Sequence, residues 1–173
     1  MPIALEEQIG PLLLARGLKL CTAESCTGGL IGDRITNIPG SSEYFLGSVV
    51  SYAYEAKELL LGVSHETLMH NGAVSRETVL SMAVGVRLAL ASDFGMEHLI
   101  SIAVTGIAGP GGGMPGKPVG LVWIGLSSLQ GDHAWRFFET GNRVENKAES
   151  AQLALTLLME YLTGSLRPEE GAG

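Results

Sequence analysis

The sequence of 173 residues is short of charge and cysteine, and each shortage excludes a class of protein. Charged residues make up 17% of the chain and the net charge is −7, which argues against nonspecific binding of nucleic acid. No run of lysine or arginine could follow a phosphate backbone. Cys21 and Cys26 lack the spacing of a zinc or redox motif, so we expect free thiols in a reducing cytoplasm.

Long apolar runs and metal-binding patterns are also missing. The first residues lack the basic and apolar regions of a signal peptide, and no apolar run is long enough to span a membrane. None of the four histidines has a histidine or glutamate four residues later, as a helical metal site would require. We therefore expect a cytoplasmic protein without membrane contact, metal or cofactor.

Hydrophobic residues, by contrast, make up 46% of the chain. A chain of this length is typical of one domain with a sizeable core. Much of this apolar content must therefore lie in buried strands or in a subunit interface. The composition predicts a homo-oligomer, a dimer or higher.

Helical and strand-like patterns alternate along the chain. The predicted helices cover residues 4–16, 30–36, 54–61, 64–71 and 75–94, and a last helix follows residues 141–143. The predicted strands cover residues 18–23, 47–52, 99–104, 119–128 and 133–140, the last two as a hairpin around residues 130–132. This order predicts a single-domain, three-layer α/β/α sandwich with a mixed β-sheet over residues 1–163. Residues 164–173 are rich in Gly, Pro and Glu and are expected to be a disordered tail.

The segment 39–63 carries the first candidate chemistry. A Gly-Ser-Ser turn precedes a strand-like stretch and then a short helix that contains Lys57 among apolar neighbours. An apolar environment lowers the pKa of a lysine, and the neutral amine can then take a proton from a serine hydroxyl. The segment predicts a serine nucleophile with a lysine base, while a surface lysine on an amphipathic helix is the alternative.

Two glycine-rich turns are candidate binding sites. Residues 24–29 lie between a strand and a helix, where free backbone N–H groups suit an anion or a developing oxyanion; a simple helix cap is the alternative. Residues 105–118 follow a buried strand and include Gly106 and Gly109, whose backbone can approach a ligand phosphate or carboxylate closely. A ligand-free hairpin connection is the alternative there.

Several unusual motifs occur together through nearly the whole chain outside the tail. They are Thr-Ala-Glu-Ser-Cys-Thr-Gly-Gly at residues 22–29, Gly-Ser-Ser at 40–42, Tyr52 with Glu-Ala-Lys at 55–57, Gly-Ala-Val-Ser at 72–75, Thr-Gly-Ile-Ala-Gly-Pro at 105–110, Lys-Pro-Val-Gly at 117–120 and Gly-Asn-Arg at 141–143. Together they resemble the CinA C-terminal domain family, which includes stand-alone nicotinamide mononucleotide amidohydrolases of the PncC type. One departure is the loop at residues 109–114, which is less polar than we expect in relatives.

The resemblance implies hydrolysis of the carboxamide of nicotinamide mononucleotide to nicotinic acid mononucleotide and ammonia, without a metal. It implies that Ser42 is the nucleophile and that Lys57 is the base and later the acid for the leaving ammonia. Tyr52 would support them with a hydrogen bond, and Ser25 would hold or polarise the amide. A serine–lysine pair can supply the nucleophile and the proton shuttle without a histidine.

The resemblance also implies a small-molecule partner, the mononucleotide. Thr105 and Arg143 would bind its ribose and phosphate, since the arginine fork suits a phosphate group, and Gly106 and Gly109 complete the expected binding set. Longer family members carry an N-terminal nucleotide-hydrolysing domain, for which this chain is too short. The alternatives are a non-catalytic nucleotide-binding module linked to competence or DNA-damage responses, and an amidase for another substrate.

The predicted pair of Ser42 and Lys57 poses a geometric difficulty. A straight strand of about six residues separates its ends by roughly 20 Å, which exceeds the reach of a lysine side chain. Either the loop before the strand folds back along it, or the pair forms across a subunit boundary. If neither occurs, Ser25 is the better candidate for the nucleophile.

Overall fold

The computed structural model describes residues 3–91 and 94–169 of the chain. The α-helices within these ranges are α1 (Leu5–Ala15), α2 (Leu30–Thr36), α3 (Tyr54–Leu61), α4 (His65–Asn71), α5 (Arg76–Leu90) and α6 (Arg143–Thr163). The β-strands are β1 (Lys19–Glu24), β2 (Phe45–Val50), β3 (Leu99–Gly106), β4 (Leu121–Ser128) and β5 (Gly131–Phe138). Short 3₁₀ turns cover Ser41–Glu43 and Met96–His98.

The five strands form one mixed sheet in the order β2-β1-β3-β4-β5. β1 pairs in parallel with both β2 and β3, whereas β4 pairs antiparallel with β3 and with β5. Since the three parallel strands run in the same direction, their carboxyl ends meet at one edge of the sheet. The turns that follow these strands are therefore close together in space.

Helices cover both faces of the sheet, which confirms the predicted three-layer α/β/α sandwich. One core includes Leu20 and Ile102 with residues of α1, α2 and α6, and the other includes Cys21 and Ala103 with residues of α3, α4 and α5. Neighbouring residues of one strand thus enter different cores, because successive side chains of a strand point to opposite faces. The buried central strands explain the high apolar content of the sequence.

Side-chain caps fix the starts of several helices. The hydroxyls of Ser64 and Ser75 accept hydrogen bonds from backbone N–H groups in the first turns of α4 and α5. At α6, Asn142 and Glu145 form a reciprocal capping box. Gly62 ends α3 in the left-handed conformation, which glycine adopts without steric cost. These signals are local, so the sequence predicts this part of the structure well.

The boundaries of several elements differ from the predicted ones. β2 begins and ends two residues earlier than the predicted strand 47–52, so residues 51 and 52 belong to the turn into α3. The β4–β5 hairpin turns at residues 129 and 130, and Gly131 and Asp132 already belong to β5. α5 ends at Leu90, before the predicted end at residue 94, while Ser92 and Asp93 lie outside the described residues.

The expected disorder from residue 164 is wrong for residues 164–169. The indole Nε1 of Trp135 donates to the carbonyl oxygens of Arg167 and Pro168, both at 3.2 Å. The Glu169 carboxylate lies 2.6 Å from Arg76 and 3.1 Å from His133. These contacts hold the segment against β5 and α5, which a composition-based prediction does not include. Residues 170–173 lie outside the described residues.

None of the helices in the described ranges combines the length and apolar content that a membrane span needs. The longest, α6, has 21 residues and buries one face, which includes Ala151, Leu155 and Leu158, against the sheet. Its other face carries charged residues. This helix is amphipathic and packs on a protein core.

Gly85 is a position where the packing of α5 against α3 requires the absence of a side chain. A Cβ atom there would lie 1.9 Å from the backbone oxygen of Leu61. We expect Gly85→Ala to lower the free energy of unfolding by about 1–3 kcal/mol, because the helices must move apart. Urea denaturation measures this change. Ser81→Ala on the same helix is the control, with an expected change within about 0.5 kcal/mol; equal effects of the two substitutions would contradict the packing argument.

Candidate active site

Lys57 and Ser25 form a buried hydrogen-bonded pair at the carboxyl edge of the parallel strands. Lys57 Nζ lies 2.9 Å from Ser25 Oγ. Ser25 directly follows β1, and Lys57 lies on α3, which follows β2. Lys57 is 0% exposed and Ser25 is 7% exposed. The pair therefore meets through the parallel pairing of β1 and β2, although 32 residues separate the two in the sequence.

The ammonium nitrogen of Lys57 has backbone oxygens as its other neighbours. It donates to the carbonyl of Ser51 at 2.6 Å and to that of Tyr52 at 3.4 Å. Among the described residues no carboxylate forms an ion pair with it. Burial without an acidic partner disfavours the charged form, and desolvation lowers the pKa of Lys57 from 10.5 to about 8. A substantial fraction of this amine is thus neutral near physiological pH.

The apolar residues next to Lys57 in the sequence do not cause this desolvation. Leu59 is 85% exposed and Leu60 is 48% exposed. Lys57 instead points inward on the same face of α3 as Leu61, four residues later, which is buried. The prediction of a desolvated lysine is confirmed, but its physical cause is the sheet edge beneath the helix.

A small cavity of about 170 Å³ opens beside Ser25. Residues from five segments of the chain line it: Ser25, Cys26, Tyr52, Ala73, Val74, Thr105, Gly106, Ala108 and Arg143. The structure thus brings Ser25, Tyr52, Thr105, Gly106 and Arg143 of the predicted site together. A larger cavity of about 470 Å³, lined by Phe137–Gly141 and residues of α6, has neither a serine nor a lysine in its lining.

Arg143 lies at the mouth of this cavity and connects two of its walls. Its Nη1 donates to the carbonyl oxygen of Gly109 at 2.6 Å, and its Nη2 donates to the Tyr52 hydroxyl at 2.8 Å. Behind them, the Thr105 hydroxyl donates to the backbone oxygen of Ala73 at 2.8 Å. Gly109 thus contributes a carbonyl group that holds Arg143. Because Tyr52 and Arg143 are both exposed, the contact can open without disturbing the core.

Within this chain, the structure does not bring Ser42 to Lys57. Ser42 is an exposed residue in the 3₁₀ turn before β2, whereas Lys57 lies beyond the opposite end of that strand. The loop does not fold back along the strand, so the prediction of a Ser42–Lys57 pair within one chain is wrong. Ser25 is the serine that contacts the lysine. The extended strand alone accounts for the separation, as the sequence geometry anticipated.

The turn at residues 24–29 does not present a free helix N-terminus, contrary to expectation. The Glu24 carboxylate, which is 0% exposed, accepts hydrogen bonds from the backbone N–H groups of Gly29, Ile31 and Gly32 at 2.9–3.1 Å. An internal carboxylate thus occupies the position that an external anion would take. Neither the Cys26 nor the Thr27 N–H group donates to another residue in the described part of the chain.

Several residues of the site escaped sequence reasoning. Cys26 lines the cavity as a buried thiol, and its burial raises the pKa to about 12, so it stays protonated. Ala73 and Val74 come from the segment between α4 and α5, where only the Gly-Ala-Val-Ser motif marked the position. Glu139 lies close enough to raise the pKa of Cys26 further, and desolvation raises the pKa of Glu139 itself to about 7. Across the described residues no cluster of three or more His, Cys, Asp or Glu is placed to hold a metal ion.

The geometry defines a class of protein: an α/β sandwich whose candidate centre is a buried serine–lysine pair. Comparison with known proteins gives the family. The model of the CinA C-terminal domain matches residues 3–162, and the chain belongs to this family. A CinA-like protein from Chloroherpeton thalassium is 49% identical over 165 residues, which is 93% of this chain and 38% of that protein.

Solved structures show the same fold. A competence-damaged protein (CinA) superfamily protein from Klebsiella pneumoniae is 33% identical with a TM-score of 0.85, over 92% of this chain and 96% of that one. The competence/damage inducible protein CihA from Agrobacterium tumefaciens is 38% identical with a TM-score of 0.79, over 94% and 98%. The chain spans only 36–38% of the length of the curated relatives that it matches.

The burial of Lys57 predicts a specific dependence of stability on pH. Its pKa is about 8 in the folded state, against 10.5 for a free side chain, so between these values the unfolded chain binds more protons. Folding stability attributable to Lys57 therefore rises with pH across this window and is lowest below about pH 8. We expect the free energy of unfolding of the wild type, minus that of Lys57→Met, to increase by at most about 3 kcal/mol from pH 7.5 to 10.5. Urea titrations of both proteins measure it; a difference that is constant or falls with pH would contradict the assignment.

Proposed function

We propose that this protein is an amidohydrolase that converts nicotinamide mononucleotide to nicotinic acid mononucleotide and ammonia, with Ser25 as nucleophile and Lys57 as base. The observation that carries the proposal is the 2.9 Å contact between Lys57 Nζ and Ser25 Oγ, in a buried place where the amine is partly neutral. A serine needs such a base, because its hydroxyl alone is a weak nucleophile. A protein that only binds a nucleotide does not need this pair.

The reaction follows from the contacts of these two residues. Neutral Lys57 takes the proton of Ser25, and the serine oxygen attacks the carboxamide carbon. The resulting ammonium of Lys57 then protonates the amide nitrogen, which leaves as ammonia, and an ester to Ser25 remains. A water molecule, deprotonated by Lys57, cleaves this ester to the carboxylate product and restores the serine hydroxyl.

The negative charge that develops on the amide oxygen needs hydrogen-bond donors next to Ser25. The N–H groups of Cys26 and Thr27 are suited to this task, since they directly follow Ser25 and neither donates to another residue of the described ranges. We assign the oxyanion to these two groups. The helix N-terminus of α2 is not assigned, because Glu24 occupies it.

The cavity is large enough for only one end of the substrate. About 170 Å³ is less than the 300–1,000 Å³ of typical ligand pockets and suits the carboxamide end rather than a whole mononucleotide. The ribose and phosphate then extend through the mouth, past Thr105, Tyr52 and Arg143. Arg143 would exchange the Gly109 carbonyl for the phosphate, with which its guanidinium makes stronger, charge-assisted hydrogen bonds. The identity of this substrate is taken from the family resemblance.

Substitutions of the two serines test the assignment directly. We expect Ser25→Ala and Lys57→Met to lower kcat for ammonia release from nicotinamide mononucleotide by about 10⁴-fold or more, since each removes an essential part of one unit. Ser42→Ala is the matched control and should keep kcat within about twofold. Loss of activity in Ser42→Ala with activity retained in Ser25→Ala would overturn the mechanism in favour of a pair formed between subunits.

A comparison of substrates belongs to the same experiment. Nicotinamide riboside lacks the phosphate and should show a raised KM if Arg143 binds that group. Binding of the mononucleotide without release of ammonia by wild-type protein would instead support a nucleotide-binding module. If ammonia is released only from other amides, the proposed serine–lysine mechanism stands and the proposed substrate is wrong.

The pH dependence identifies the base. If neutral Lys57 is required, kcat/KM should rise with pH to a plateau, with an apparent pKa near 8. Glu139 also has its pKa displaced, to about 7, and is the competing explanation for a titration in this range. In the Glu139→Gln variant, kcat/KM should still rise with pH over the same range. If this rise disappears in the variant, the titrating group is the Glu139 carboxylate instead.

A further inference from the structure

We infer that Glu24 is a positioning residue for Ser25, and the role rests on the proposed function of Ser25 as a nucleophile. Its carboxylate accepts five hydrogen bonds from groups in the turn after Ser25, at the start of α2 and on β2. The hydroxyl of Thr27 donates at 2.7 Å and that of Ser48, on β2, at 2.9 Å. The remaining three donors are the backbone N–H groups at the start of α2.

The main chain of Glu24 and Ser25 is fixed equally firmly. The carbonyl oxygen of Glu24 accepts from Ser51 N–H at 2.8 Å, and Ser25 N–H donates to the Val104 carbonyl at 3.0 Å. Ser51 in turn offers its own carbonyl to Lys57 Nζ. Glu24 thus connects the strand that carries the nucleophile with the turn that holds the base. A displacement of the Glu24 backbone would therefore move both Ser25 Oγ and Lys57 Nζ, the two atoms of the 2.9 Å contact.

The arrangement needs a side chain that offers acceptors only. All five partners donate to the carboxylate, and the three backbone N–H groups among them cannot accept a hydrogen bond. A glutamine of the same shape would turn an NH₂ group towards Gly32 N–H or towards the Thr27 side of the site. α2 has no side-chain cap of its own, because its N-cap residue is Gly29. Glu24 provides the cap from the neighbouring strand.

A cap that merely stabilises the helix is the competing account, and the two accounts differ in kinetics. If Glu24 only stabilises α2, a variant without it loses folded protein, but the molecules that remain folded react normally. If Glu24 positions Ser25, the folded molecules themselves react slowly while their affinity for substrate is kept. Misplacement of a reacting group by about 1 Å can lower a rate about a hundredfold.

The experiment compares Glu24→Gln with Glu6→Gln in the full chain. Glu6 forms an ion pair with Arg34 of α2 at 2.8 Å, so its substitution also removes a contact of that helix but lies away from Ser25. For each variant, thermal unfolding gives the folded fraction, and steady-state kinetics give kcat and KM. The rate at which a fluorophosphonate labels Ser25, with Ser25→Ala as the unlabelled blank, reads the reactivity of the serine without the proposed substrate.

We expect Glu24→Gln to lower kcat and the labelling rate per folded molecule about a hundredfold, with KM within about threefold of the wild type. Glu6→Gln should keep both rates while it lowers the midpoint of thermal unfolding. Wild-type rates per folded molecule in Glu24→Gln would overturn the inference. Labelling that follows the expected pattern in a protein that does not hydrolyse nicotinamide mononucleotide would support the role of Glu24 and refute only the proposed substrate.

Glu24→Ala provides a second test, which does not depend on the glutamine geometry. Its missing carboxylate leaves a space lined by the same donors, which formate is small enough to enter. Added formate should raise the labelling rate of Glu24→Ala at least about tenfold, whereas chloride at equal ionic strength should not. If Glu24→Ala does not fold, the result from Glu24→Gln decides; a folded Glu24→Ala with unimpaired labelling would overturn the inference.

Discussion

The burial of the Lys57 amine against Ser25, without an acidic partner, is the constraint on which the rest of the site depends. A carboxylate in contact with this amine would keep it charged and remove its ability to accept a proton. The structure surrounds it instead with a hydroxyl and two backbone carbonyls, which bind the ammonium but do not cancel the cost of its burial. Burial of the amine lowers the stability of the fold, and the large apolar cores on both faces of the sheet offset this loss.

The two buried ionisable groups of this region, Glu24 and Lys57, have different hydrogen-bond partners. Glu24 receives five donors, which hold its side chain in one position. Lys57 has three hydrogen-bond acceptors but no carboxylate partner, and desolvation lowers its pKa. A buried group whose pKa is displaced in this way is typical of acid–base chemistry. Glu24 supports the turn, and Lys57 can move protons.

The position of the site follows from the topology of the sheet. In open sheets with parallel strands, ligands bind at the carboxyl ends of the strands, where successive turns meet. Ser25, Tyr52 and Thr105 come from the ends of β1, β2 and β3, and Arg143 at the start of α6 closes the mouth. Family membership agrees with this arrangement, while the names of the relatives refer to competence and damage and specify no reaction. The chemistry therefore has to be argued from the pair itself.

Much of the fold could be predicted from the sequence, because alternating apolar patterns, caps and glycines act over a few residues. The helix at residues 54–61 and the helix starts at Ser64 and Ser75 are of this kind, and the order of helices and strands along the chain indicates the sandwich. Lys57 was identified as a candidate base from its apolar neighbourhood, and the structure confirms its burial. Residues 164–169 were misjudged, since their order comes from contacts with distant Trp135 and Arg76.

The choice of the nucleophile was decided only by the tertiary structure. The sequence by itself determined that a lysine with apolar surroundings follows a strand, and that a Ser-Cys-Thr-Gly-Gly turn follows another. It could not determine that the two strands are parallel neighbours, which places Ser25 beside Lys57 and leaves Ser42 at the far end of β2. Strand pairing is a long-range choice made by the packing of the whole sheet, and no local pattern encodes which turns it brings together.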